Sequence, residues 1–123
     1  MEREIILKKL RFDAHKKALI LNAPQVYLDI LEGISFDSAP TGNTQYDFIQ
    51  IFGYQQDELE TLIKLVDNFR KYDGLFWTCY PKGTGKIKSN IKRETVWTAL
   101  ALIGLEAVSQ IALDETWSAL RGR

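Results

Sequence analysis

The sequence predicts an α/β domain of three layers: a mostly parallel sheet of five to six strands, three helices divided between its faces, and a C-terminal antiparallel hairpin. Three observations lead there. Apolar runs of strand length stand at 17–24, 46–53 and 75–81, and none alternates apolar with polar, which suits strands covered on both faces. Stretches with helical spacing of apolar residues separate or follow those runs, the arrangement of parallel strands with helices on both sides. The last stretch, 107–123, splits into two strands about the tight turn Asp114-Glu115-Thr116. At 123 residues the chain is expected to form a single domain, 1–123, with one core.

In chain order, Lys17–Pro24 is a short buried strand ended by Pro24. Pro24–Gly33 is a helix: proline suits its first turn, Val26, Tyr27, Ile30 and Leu31 fall at helical spacing, and Gly33 stops it. Ile34–Phe36 is a brief candidate strand, and Asp37–Gln45 is a turn-rich loop. Tyr46–Gly53 is the second strong strand. Tyr54–Gly74 is a helix with Leu59, Leu62, Ile63, Val66 and Phe69 on one face. Its acids lie early and Arg70-Lys71 late, as the helix dipole prefers. Leu75–Pro81 is the third strand. Ser89–Glu106 is the third helix, with Ser89 or Asn90 as N-cap and Gly104 as C-cap.

Composition narrows the function classes. The apolar share of 46% and charged share of 26% are those of a soluble globular protein. No apolar run approaches the roughly 20 residues that span a bilayer, so no membrane partner is expected. The stretch "MEREIILKKLRF" mixes acids with cations, unlike a secretory signal. A single cysteine excludes an internal disulfide and fits a reducing cytoplasm, the expected location. One histidine and one cysteine are too few for a zinc site of the usual kind, and no metal or cofactor is predicted. Net charge is zero, which disfavours nucleic acid, since non-specific affinity for it sums many phosphate contacts. The charges are nonetheless segregated. From Ala18 to Ile63 there are acids and no Lys or Arg, while Lys82–Arg93 is basic.

The stretches "YDFIQIFGY", "ELETLIKLVDNFRKYDGLFWTCYPKG" and "GLEAVSQIALDETWSALR" together resemble the C-terminal half of a Rossmann-like methyltransferase. More closely, Asp73-Gly74-Leu75-Phe76-Trp77, Tyr80-Pro81-Lys82-Gly83, Gly104-Leu105 and Trp117-Ser118-Ala119-Leu120-Arg121 resemble a family of small bacterial proteins catalogued as a domain of unknown function. The likeness covers about Tyr46 to Arg121, with weaker agreement at Ala18–Pro24. It implies a truncated Rossmann-like sheet and supplies no activity. The methyltransferase likeness breaks where a cofactor would bind. A glycine-rich turn should follow the first strand, and that place reads Asn22-Ala23-Pro24-Gln25. The acid that would grip a ribose has Asp37 as its nearest counterpart.

Two places are candidate ligand sites. "CYPKGTGKIKSNIKRET", Cys79–Thr95, carries five cations and no acid before Glu94. It is no P-loop, because Tyr80 and Ile87 stand where a glycine and a hydroxyl are required. It leaves a strand and enters a helix N-terminus, so Lys82, Gly83, Lys86 and Lys88 are candidates to hold an anion or an acidic partner. A solvated connection is the competing reading. The second place is the crevice at the carboxyl ends of the strands, where open α/β sheets bind ligands. Asn22, Ala23, Pro24, Gly53, Tyr54, Gln55, Tyr80 and Lys82 would line it. Polar side chains there offer hydrogen bonds, and Gly53 would permit close approach.

Catalytic combinations are thin. His15 stands alone in a polar connector, and Cys79 lies inside an apolar strand as a core residue. Ser118 lacks a glycine elbow, Asp114-Glu115 sit at a turn, and Asp47 caps the approach to a strand. Trp77 and Trp97 are expected in the core, with Trp117 partly exposed on an edge strand. The sequence therefore predicts a non-catalytic ligand-binding or protein-interaction module, monomeric or weakly self-associating. It would work through the strand ends and the Lys82–Arg93 loop. The alternative is a minimal methyltransferase-like enzyme with a degenerate cofactor site.

Overall fold

The computed structural model describes residues 2–123, in which helices and strands alternate through most of the chain. They are α1 (Arg3–Lys9), β1 (Ala18–Leu21), α2 (Gln25–Ile30), β2 (Tyr46–Phe52), α3 (Gln56–Val66), β3 (Arg70–Pro81), α4 (Arg93–Ala101), β4 (Ala107–Ala112) and β5 (Trp117–Gly122). The five strands form one sheet in the order β1-β2-β3-β5-β4. β1, β2 and β3 run parallel, and β5 is antiparallel to both β3 and β4. The sheet is mixed: β1, β2, β3 and β4 point one way, and β5 turns back into the position beside β3.

The helices lie on both faces, as three layers require. Leu59, Ile63 and Val66 of α3 and Val96, Ala99 and Leu100 of α4 pack with Leu19, Ile49, Ile51, Phe76 and Leu120 of the sheet. Ile6 of α1 and Tyr27 of α2 pack with Ile20, Phe48, Phe52, Trp77, Cys79 and Trp117 on the other face. The strand residues divide between the two clusters with the two-residue alternation of a pleated sheet. That explains why the sequence shows apolar runs without alternation. Gln50 is fully buried in β2, where its side chain accepts from the Tyr27 hydroxyl (2.8 Å) and donates to Cys79 Sγ (3.4 Å). A buried polar group met on both sides by partners fixes register as well as satisfying itself.

Several expectations need correction. The described residues hold four α-helices, since α1 forms in the segment for which no helix was predicted. The segment Ile34–Phe36 is no strand. Asp37 alone bridges β1, through Ile20 N–H to Asp37 O and Asp37 N–H to Ala18 O, both 2.9 Å. Its carboxylate then receives the hydroxyls of Tyr46 and Thr41, which turns the chain out after one paired residue.

α3 ends at Val66 rather than near Gly74. Arg70, expected in the last helical turn, folds back onto Asp67 (3.0 Å) and donates to Ile103 O (2.9 Å). β3 starts there. Five steps along it, Arg70 to Leu75, face two along β2, Tyr46 to Phe48, so Lys71–Gly74 bulges out. Gly74 is required inside that bulge, where a Cβ would lie 2.9 Å from Asp47 O.

α4 begins at Arg93, beyond Ser89 and Asn90, and Thr95 Oγ1 accepts from Lys92 N–H at 2.9 Å. Its far end matches expectation. Gly104 has φ +76, with Gly104 N–H to Ala101 O (3.1 Å) and Leu105 N–H to Leu100 O (3.0 Å), the paired bonds of a Schellman cap. Two tryptophans exchange their expected places. Trp97 is half exposed under the Arg93 guanidinium, because α4 turns Val96, Ala99 and Leu100 to the sheet instead. Trp117 is buried, because β5 is an interior strand.

Candidate functional site: the strand-end crevice

The chain order reverses between β1 and β2. After β1 the chain crosses to its outer side, at Asp37, and then returns to form β2 on the inner side. The crevice at such a reversal is the place where an open α/β sheet takes a ligand. Asn22 leaves β1 into it with φ +61, a left-handed conformation that glycine adopts at less cost. Asparagine tolerates it because its short amide bonds locally. Here Asn22 Nδ2 donates to Phe52 O at 2.8 Å, tying the end of β1 to the end of β2 across the crevice. Pro24 follows as the N-cap of α2, one residue earlier than the first-turn position expected of it.

Gly53 has a different reason from the one proposed on sequence. A Cβ there would lie 2.8 Å from Leu59 Cβ and 3.3 Å from Leu59 Cα. The glycine lets α3 close against β2. It is buried beneath that helix and offers no approach to a ligand.

Tyr54 and Tyr80 are separated by the sheet. Tyr54 packs edge-on to Trp117, 5.1 Å between centroids, with the α1–α2 face. Tyr80 is buried on the α3–α4 face, and its hydroxyl accepts from Gln110 Nε2 at 3.3 Å. Burial raises both phenols, with Glu58 adding to the effect at Tyr54. They do not converge on one ligand.

The basic stretch is strapped to α3. Gln55 Nε2 donates to Lys88 O (3.0 Å), and Asn90 N–H returns a longer bond to Gln55 Oε1 (3.4 Å). Asn90 Oδ1 accepts from Gln56 N–H (2.7 Å), and Gln56 Nε2 donates to Thr95 O (2.9 Å). Asn90, weighed as a cap for the third helix, thus caps α3. Glu58 accepts from Tyr54 N–H (2.7 Å) and Asp57 from Glu58 N–H (2.8 Å), so the chain's own groups meet donors at the start of α3. At the loop's start Lys82 N–H donates to Thr116 O (2.8 Å). Lys86 and Lys88 are exposed, and Gly83 has open space around its Cα.

The remaining sequence candidates are structural. Cys79 is fully buried, and burial pushes its thiol up to about 12. Asp114 Oδ1 accepts from Thr116 and Trp117 N–H, both at 2.8 Å, forming the turn before β5. Asp47 accepts from Lys71 Nζ (2.9 Å) and Lys17 N–H (3.0 Å), and the Lys71 bond leads in holding its carboxyl below the usual range. Asp37 is likewise lowered, first by the Tyr46 hydroxyl and then by Thr41. With both partners engaged and its backbone paired to mid-β1, it stands away from the strand ends where a ribose-binding acid belongs.

No family model matches the chain, and no curated protein matches it in sequence. Its fold is shared with solved structures. A SAM dependent methyltransferase from Aquifex aeolicus is similar with a TM-score of 0.68 at 10% identity, over 98% of this chain and 88% of that one. An S-adenosylmethionine-dependent methyltransferase from Clostridium acetobutylicum gives 0.61 at 12%, over 98% and 89%. A TehB-like SAM-dependent methyltransferase from Corynebacterium glutamicum gives 0.60 at 11%, over 99% and 87%. This chain therefore has the Rossmann-like fold of methyltransferases.

Proposed function

We propose that this chain is a minimal methyltransferase-like domain that receives an S-adenosyl compound in a reduced site at the β1–β2 strand ends. The observation that carries this reading is the order reversal at Asn22. It supplies the crevice in a sheet whose structural neighbours are named as S-adenosylmethionine-dependent enzymes. Asn22 is the residue on which the reading turns. Its backbone already takes the left-handed form of a glycine turn, and its amide bond to Phe52 O is what closes the crevice. Tyr54 would offer an apolar wall beside it.

A non-catalytic interaction module is the second reading. The Asn22–Phe52 bond favours it, as does the basic loop fixed over α3 with Lys86 and Lys88 outward.

Calorimetric titration with S-adenosylhomocysteine separates the two. The first reading expects saturable binding that strengthens in Asn22→Gly, where the crossing bond is gone and the backbone unstrained. Absence of saturable heat in both proteins leaves the module. A methyl-transfer assay with S-adenosylmethionine as donor then decides whether binding serves a reaction.

A further inference from the structure

The opposite ends of the strands hold a depression of about 740 Å³, of the size that takes small ligands. Arg11, Arg121 and Arg123 line it. None of the three has a carboxylate within ion-pair distance among the described residues. Of the acids that line it, Asp47 holds Lys71 and Asp13 accepts from His15 N–H, while Asp73 pairs with no cation among the described residues. Partial burial and the charges of Arg11 and Arg123 all act to lower the Arg121 pKa, which is the signature of cations crowded without an anion.

The trio is held by rigid parts. Arg121 lies in β5, paired to Trp77 of β3 and Ser109 of β4. Arg123 exchanges two backbone bonds with Glu106, at 2.8 and 3.0 Å. Arg11 follows α1, whose end is pinned where Trp77 Nε1 donates to Leu10 O at 3.0 Å. Arg11 also has φ +60, a position that glycine would fill at less strain. That conformation closes α1, through Arg11 N–H to Lys8 O (3.0 Å) and Phe12 N–H to Leu7 O (2.9 Å), and so fixes the backbone from which the Arg11 side chain reaches the depression. Tyr72 lines the same depression from the β3 bulge and is wholly exposed, presenting an aromatic face free to stack.

We propose that Arg11, Arg121 and Arg123 form a phosphate-binding site for a nucleoside diphosphate, with Tyr72 against its base. Guanidinium forks match the paired oxygens of phosphate, and three of them suit a multiply charged group. The site is independent of the S-adenosyl crevice, which lies at the other end of the sheet.

The test is calorimetric titration at constant ionic strength with three probes: ADP, inorganic pyrophosphate and a single-stranded dodecanucleotide. ADP and pyrophosphate are expected to saturate. Arg121→Gln should weaken both about tenfold or more, as loss of a charged hydrogen bond does. Tyr72→Ala should weaken ADP alone. Arg11→Gly guards against misfolding as an explanation, because it relieves the left-handed strain and should leave the fold at least as stable while binding falls. Unchanged ADP affinity in Arg11→Gly and Arg121→Gln overturns the proposal. So does absence of saturable ADP binding, or binding of the dodecanucleotide alone with steep salt dependence.

Discussion

At the carboxyl ends of the strands, Asn22, Gln55 and Asn90 are each bonded to the chain's own backbone. At the opposite ends, Arg11, Arg121 and Arg123 meet no carboxylate within ion-pair distance among the described residues. The first end is where an open α/β sheet ordinarily binds. Here it is narrowed by neutral amides that satisfy helix and strand termini, at modest cost and without charge. The second end is built on the same strands and keeps like charges together. Polar groups that find internal partners contribute to the fold, whereas like charges held close without a partner weaken it slightly and remain available to a ligand. The comparison separates residues that hold the structure from residues the structure holds.

The strongest way to break the comparison is at Gly53. Alanine would push Leu59 and the α3 backbone away from β2, and overpacking of this kind costs about 1–3 kcal/mol. Urea unfolding of Gly53→Ala should show a lowered midpoint at an unchanged slope. A neutral result would mean that α3 is held less tightly than its contacts imply.

At the other end, Trp77→Phe keeps most of the buried ring and removes the donor to Leu10 O. A buried acceptor left unmet costs about 1–3 kcal/mol. Amide exchange should quicken in α1 ahead of the sheet, and ADP binding should weaken with it as Arg11 loses its anchor. Next in size, Asn90→Ala should cost about 1 kcal/mol, the usual loss of a helix cap, with exchange quickened around Gln56.

The smallest effect is electrostatic. Asp37 and Asp47 both have folded-state pKa values below the ordinary value of about 3.9. Their contribution is therefore fully present above that value and is lost as pH falls through the depressed folded values. The acid limb of a stability–pH curve should flatten in Asp37→Asn. The same limb as wild type would mean that the Tyr46 and Thr41 hydroxyls serve the neutral amide equally well.

Much of the fold was legible because burial on both faces leaves an apolar run with no alternation. Lys17–Pro24 and Tyr46–Gly53 contain observed strands, and Leu75–Pro81 lies within one, for that reason. Gly104 was legible as well, since a left-handed C-terminal position selects glycine locally. The errors arose where a distant partner decided a local choice. Phe69 and Arg70 continue a helical pattern, yet Asp67 and Ile103 O draw Arg70 out of it. Asn90 looks like a cap for the helix it precedes and caps α3, 34 residues back, instead.

The candidate site was legible only as a place. Asn22, Tyr54 and Gln55 do stand at the strand ends, but neither the Asn22–Phe52 bond nor the separation of Tyr54 from Tyr80 has a sequence signal. Arg121 closes the motif "WSALR" and Arg123 follows it, with no sequence signal that either belongs to a site. Arg11 becomes their neighbour only when Trp77 fastens α1 across 67 residues of chain.

The position of β5 also bears on how the sheet assembles. This strand comes after the others in the chain, yet it fills the slot between β3 and β4. Until it is in place, β3 carries an unpaired edge along Phe76–Pro81, an apolar stretch rich in aromatics. Such an edge is a template for pairing with another chain. A folding molecule is thus most exposed to self-association just before β5 docks, and a version truncated before Trp117 should precipitate where the whole chain stays dissolved.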